Sequence, residues 1–384
     1  MEWLGHAELN FTHAPSPRKV QEKDGNVTDL LSICEKATPP CRLNPLLFNG
    51  HLQTMWTATK PAGPKIYYKR KIFDADHKIY HGTFAVDLAV EPFEAPEDPS
   101  LSRRTAYFTP EEFEHIGSDD RKPMLVVLHG LSGGSHEIYL RHTIAPLIGE
   151  GGWEVCVVNS RGCARSKITS GVLYNARATW DVRQSNTNHC GEEGPNCVLK
   201  GAVNSYIGKE VYLRVMGSAL KELAATHRTE LEKYSKIDVK AVMNITYLYE
   251  FDRLIQCPSW GYPTESAYYR DASSVDSILS IEIPFLAVHS TDDPIAVKEA
   301  IPYEEFKQNP NTVLLTSSLG GHLCWFETSG DRWFTKPVAN FLNHLAFKTD
   351  LNDLRPLVNP NNNDHLADGH GYIPMRRKLV IAED

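Results

Sequence analysis

The chain has 384 residues, 41% of them hydrophobic, enough for one large α/β domain with extensions or for two small domains. Its formal charge of -8 is interspersed, not gathered in a block, which argues against nucleic acid and an anionic membrane surface as partners. No apolar run approaches the roughly 18 residues of a spanning helix, and the opening "MEWLGHAELNFTHAPSPRK" lacks the basic-then-apolar pattern of a secretory signal. The sequons at Asn10, Asn26 and Asn244 are therefore expected to be unused. Eight cysteines in such a chain read as reduced thiols. Three pairs (Cys34 and Cys41, Cys156 and Cys163, Cys190 and Cys197) share a six-residue gap that matches no zinc pattern.

In chain order, residues 1–43 are polar and proline-bearing and read as an N-terminal extension. "NPLLFNGHLQTMWTATKP" is turn-rich with apolar anchors. "KIYYKRKIF" and "HGTFAVDLAV" alternate β-branched and aromatic residues as strands do, and "EAPEDPSLSRRT" is a loop. An α/β rhythm follows: strand "PMLVVLHG", helix "EIYLRHTIAPLIGEG", strand "WEVCVVNSRG". "TWDVRQ" belongs to a further helix and "CVLKGAV" to another strand. The long "SYIGKEVYLRVMGSALKELAATHRTELEKY" reads as a helical cap. Strands "IPFLAVHSTDDP" and "NTVLLTSSLGGH" and the amphipathic helix "WFTKPVANFLNHL" close the core, and residues 348–384 are a polar tail. Continuous apolar strands alternating with helices imply a mostly parallel sheet with helices on both faces.

The chemistry concentrates at strand ends. In "LVVLHGLSGG" a buried strand runs into a glycine-rich turn, the place where an α/β-hydrolase donates a backbone N–H to the oxyanion hole. Leu131 is the expected donor. The same letters match Gly-x-Ser-x-Gly around Ser132, but a nucleophile elbow lies after several sheet strands, and this turn opens the α/β part. Ser132 is thus only a weak substitute nucleophile, read otherwise as a turn hydroxyl. Further on, "FLAVHSTDDPIAV" puts Asp292 and Asp293 after one strand, and "LLTSSLGGHLCWFE" puts His322 after the next. That is the acid-then-histidine order of a Ser-Asp-His triad, in which the acid fixes the imidazole and the imidazole takes the serine proton. Asp293, which precedes a proline, is preferred over Asp292, and one of the two acids can simply cap the segment from Pro294. "HEIYLRH" sets its second histidine too late for a zinc helix, so no metal and no cofactor is expected.

Together "NPLLFNGHLQTMW", "GTFAVDLAV", "HGLSGGSHEIYLR", "NSRGCARSKITSGVLYNA", "GYPTESAYYRDASSVDSI" and "GGHLCWFE" resemble the AB hydrolase 4 family. Within it they are similar to the fungal medium-chain fatty acid ethyl ester synthase/esterases, or ethanol acyltransferases. The resemblance runs from about Asn44 to Leu345. It implies an α/β-hydrolase domain over 44–347 with cap helices about 204–270. It also implies Asp293 and His322 as relay acid and base, and Leu131 at the oxyanion turn. Expected substrates are medium-chain acyl esters, acyl-CoA and small alcohols, in the cytoplasm or at a lipid-droplet or membrane surface.

The nucleophile does not carry over. After "DVRQ" such proteins pass through a strand, the elbow and its helix before a "GEEG"-like loop; here "SNTNHC" bridges that interval. A second junction, "GAV" into "NSYIGKEV", also lacks a short segment. Strand, elbow and helix need roughly 30 residues in a βαβ unit, which six cannot replace. The expectation is a hydrolase fold whose central nucleophile strand is deleted. The alternatives are a pseudoenzyme or acyl-binding module, or a fragment from a faulty gene model.

Overall fold

The computed structural model describes residues 4–57, 59, 63–76, 80–94, 98–114, 122–149, 152–175, 181–182, 211–235, 237–352 and 354. Ten strands lie among them: β1 (Leu9–His13), β2 (Lys19–Gln21), β3 (Val27–Asp29), β4 (Tyr67–Asp74), β5 (Thr83–Val90), β6 (Thr105–Tyr107), β7 (Met124–Leu128), β8 (Glu154–Asn159), β9 (Phe285–Ser290) and β10 (Thr312–Ser317). The helices that matter here are α1 (Leu30–Ala37), α2 (Gly50–Thr57), α3 (Pro110–Glu114), α4 (Ile138–Ile148), α5 (Leu213–Thr226) and α6 (Thr335–Asn343). The fold class is α/β. The chain divides into two compact units, Met1–Thr57 with Ser273–Asp384, and Ala58–Ala272.

The first unit is built on a three-stranded sheet in the order β1-β10-β9. β9 and β10 run parallel, Phe285 opposite Thr312 through Ser290 opposite Ser317, and β1 pairs antiparallel with β10. β10, flanked on both sides, is buried at every position, as its unbroken "TVLLTS" requires. Residues 4–43 do not stand apart from the fold as their polarity suggested. Their β1 completes this sheet, and α1 buries Leu30, Ile33 and Cys34 with Val20, Val313 and Phe341. Polarity misled because β1 is an edge strand, where one face stays wet. Asp29 starts α1 by accepting the Ser32 N–H at 2.9 Å, a cap that satisfies an otherwise orphaned donor.

The second unit carries a five-stranded sheet in the order β6-β4-β5-β8-β7. β4–β5 and β5–β8 are antiparallel, while β7–β8 and β4–β6 are parallel. α4 packs Leu140 and Ile144 onto Tyr68, Val155 and Val157. Under this layer Arg70 and Asp87 form a doubly bonded ion pair (2.6 and 2.8 Å) with both side chains fully buried. Asp87 also accepts from Asn159 Nδ2 at 2.8 Å and from the Ser135 hydroxyl, and Arg70 donates to the Ala164 carbonyl. A charge pair this dry is tolerable only because every polar atom is satisfied.

Residues 211–270, where described, are largely helical. The long expected helix is two, α5 and Arg228–Tyr234, because the chain leaves helical geometry at His227 (φ -105°, ψ 20°). His227 is buried there and donates from Nε2 to the Gly162 carbonyl at 2.8 Å. α5 buries Leu213, Leu220 and Ala224 among Val242, Leu248 and Phe251.

The expected strand "CVLKGAV" and all but Asp181–Val182 of the "TWDVRQ" helix lie outside the described residues, as does nearly all of the polar tail. Among the described residues, no strand lies between β8 and β9 in sequence, and β7 and β9 are each the last strand of their sheet.

Candidate active site

Because β9 and β10 are parallel and in register, their carboxyl ends emerge side by side, and loops there are where open α/β sheets place their chemistry. From β9 come Asp292 and Asp293; from β10 comes the turn ending in His322. Asp293 Oδ2 stands 2.9 Å from His322 Nδ1. Its other oxygen, Oδ1, accepts the N–H groups of Ile295 (2.7 Å) and Ala296 (2.9 Å). One carboxylate thus caps the local turn and holds the imidazole at once, so the capping and relay readings of Asp293 coexist. Asp293 is buried, whereas the His322 side chain keeps 28% of its surface exposed. No described residue bonds its Nε2, the atom that would face a nucleophile.

Asp292 points elsewhere. Its Oδ1 accepts the Gly321 N–H at 2.9 Å and the Ser290 hydroxyl. Burial pushes its carboxyl above the usual range. Of the two candidate acids, Asp293 is the one in contact with the histidine.

The turn around His322 is unusual backbone. Gly321 (φ 62°), Leu323 (φ 56°) and Trp325 (φ 43°) lie in the left-handed region, which costs an L side chain of order 1 kcal/mol or more. A Cβ on Gly321 would come within 2.7 Å of the Gly50 carbonyl, so α2 is packed directly on this turn. Thr54 Oγ1 accepts the His322 N–H at 3.0 Å, and Gln53, fully buried, accepts the Phe326 N–H at 2.9 Å. Cys324 Sγ lies 3.1 Å from Thr57 Oγ1 and donates to the His322 carbonyl at 2.9 Å. Sequence reading took the α2 segment for a turn and missed these residues. The signal was present: Gly50, Gln53, Thr54 and Thr57 repeat at i, i+3, i+4, i+7, one face of a helix.

The glycine-rich turn belongs to the second unit. Its Ser135 ties it down through the Ser135 N–H to Asn159 Oδ1 bond (3.0 Å) and the hydroxyl bond to Asp87. His129 accepts the Ser160 N–H at Nε2 (3.0 Å) and donates from Nδ1 to the Gly130 carbonyl (2.6 Å). Burial pushes His129 down to about 4, so it is a neutral structural imidazole near pH 7. Leu131 is exposed, and no described hydrogen bond uses its N–H. Ser132 is half-buried at φ 51°, and among the described residues nothing bonds its hydroxyl.

No family model matches the chain. It is 32% identical to a monoacylglycerol lipase of Saccharomyces cerevisiae, over 81% of this chain and 82% of the relative. It is 26% identical to medium-chain fatty acid ethyl ester synthase/esterase 2 of the same yeast (78% and 84%). An abhydrolase domain-containing protein of Dictyostelium discoideum is 26% identical (84% and 87%). The yeast lipase alignment spans 372 positions, more than the 81% of this chain it draws on, so the relative has residues in the matched region that this chain lacks. Strand-end loops of this make and identity carried across four-fifths of both sequences lead to one conclusion: the chain belongs to the AB hydrolase family, among relatives that hydrolyse esters and lipids.

Proposed function

We propose that the chain is the acid–base half of a serine ester hydrolase and alcohol acyltransferase, and that it performs no turnover because its nucleophile segment is missing. The observation that carries this is the Asp293–His322 pair, in bonding contact with Nε2 left unbonded among the described residues. The sequence holds a single Gly-x-Ser-x-Gly, at Gly130–Gly134, and nothing of the kind in the "SNTNHC" interval. The surplus of alignment positions in the yeast lipase supports the same reading.

In the complete enzyme, a serine would give its proton to His322 Nε2 while Asp293 holds the Nδ1 proton, and its oxygen would attack an acyl carbonyl. The Leu131 N–H is the proposed oxyanion donor. Water would release a fatty acid and an alcohol would release a new ester. Medium-chain acyl esters, acyl-CoA and small alcohols are the proposed substrates, resting on the yeast esterase likeness. Residues 44–347 are the proposed hydrolase domain, with the cap at about 204–270.

The test is labelling of the purified chain with a fluorophosphonate, together with p-nitrophenyl octanoate hydrolysis. The expected result is no adduct and no rate above buffer. An adduct on Ser132 would overturn the reading.

A further inference from the structure

The backbone that presents His322 does not hold itself in place. Three residues within 321–325 sit at positive φ, two of them with side chains, and a turn of that kind persists only when its surroundings over-determine it. Two side chains from different elements meet consecutive N–H groups at its centre. Thr54, on α2, donates its hydroxyl proton to the Gly50 carbonyl at 2.7 Å, which leaves an oxygen lone pair for the His322 N–H at 3.0 Å. Asp292, at the end of β9, takes the Gly321 N–H on the same oxygen that receives the Ser290 hydroxyl.

We propose that Thr54 and Asp292 are positioning residues: by gripping the N–H groups of His322 and Gly321 from opposite elements, they keep the imidazole on Asp293. This rests on the acid–base reading of the pair and deepens it. The two neighbouring aspartates then have separate duties. Asp293 meets the imidazole with Oδ2 while Oδ1 is occupied by two backbone donors, so its full carboxylate is used. Asp292 supplies one acceptor atom to the turn, and an amide oxygen in the same place does as well.

The experiment reads the imidazole itself and needs no turnover. The full chain is labelled with 15N-histidine, and the His322 Nδ1 proton is identified by its loss in His322→Gln. The expected wild-type result is a proton in slow exchange with water, abolished in Asp293→Asn. Thr54→Val speeds its exchange about tenfold, the loss of one backbone-anchoring hydrogen bond, and Thr54→Ser restores it. Asp292→Ala behaves like Thr54→Val, and Asp292→Asn like wild type. Thr38→Val is the control for stability alone, since Thr38 makes an equivalent helix bond to the Cys34 carbonyl on α1. It lowers the melting temperature and leaves the signal unchanged. If Thr54→Val and Asp292→Ala match Thr38→Val, melting earlier with the exchange rate intact, the positioning role is overturned. A wild-type chain with no protected His322 proton, or one indifferent to Asp293→Asn, overturns the acid–base reading and this proposal with it.

Discussion

After β10 the chain turns with its N–H groups engaged: Gly321 by Asp292, His322 by Thr54 and Phe326 by Gln53. After β7 it turns with the Leu131 N–H unbonded among the described residues and the Leu131 side chain in water. Both turns close an apolar parallel strand, and both use positive φ. The difference lies in what surrounds them. The histidine turn is packed by α2 and by the end of β9, all within its own unit. The glycine-rich turn is held through Ser135 to Asn159 and Asp87, through the Gly130 N–H to the Tyr139 hydroxyl and through the Gly133 carbonyl to the Ala164 N–H, and none of these engages the Leu131 N–H. The Asp293–His322 contact can therefore be complete while the Leu131 N–H stays unbonded among the described residues, because each turn is held by different parts of the chain.

The sharpest way to test that comparison is to supply what the second turn lacks. An inserted strand–elbow–helix segment carrying Gly-x-Ser-x-Gly, placed between Gln184 and Cys190, is expected to create ester hydrolysis. The rise on p-nitrophenyl octanoate should be on the order of 10³-fold or more over the parent chain. The same insertion with His322→Ala should stay silent. Next in size, Asp87→Ala strands Arg70 in a dry interior and should cost about 3–5 kcal/mol by denaturant unfolding, loosening the glycine-rich turn before the histidine turn. A smaller contrast separates strands within one sheet. Leu315→Ala in β10, at full burial, should cost about 2–5 kcal/mol, and Val288→Ala in half-exposed β9 about 1 kcal/mol.

A further contrast is a pH dependence. Asp252 is buried with the Tyr269 hydroxyl 2.6 Å away, and burial raises its carboxyl to about 7. Unfolded, it titrates near 4. The folded state thus binds a proton more tightly, and the stability gained is complete below about pH 4 and lost as pH rises toward and through 7. Asp252→Asn should flatten this slope, leaving the variant more stable than wild type at pH 8. A wild-type melting curve that is level between pH 5 and 8 would refute it.

The strands legible in sequence are continuous apolar runs, together with the alternating β4 and β5. "MLVVL", "EVCVVN" and "TVLLTS" keep their polar residues to the strand ends, and the structure has them as β7, β8 and β10. β1 was not legible, since "LNFTH" is short, half-wet and separated from its partner by most of the chain. The order acid-strand-histidine pointed to an aspartate and His322 as partners, and the proline after Asp293 gave only a preference for it over Asp292. That choice depends on where Gly321 and the Ile295 N–H point, which spacing does not encode. Thr54 was hidden because its role exists only once α2 lies on the histidine turn.

β7 and β9 carry a consequence beyond the single chain. Both are runs of five or six mostly apolar residues, and among the described residues each has one long side unpaired. Bare ladders of this type template further pairing between molecules. Such edges are where copies of the polypeptide would pair first at high concentration.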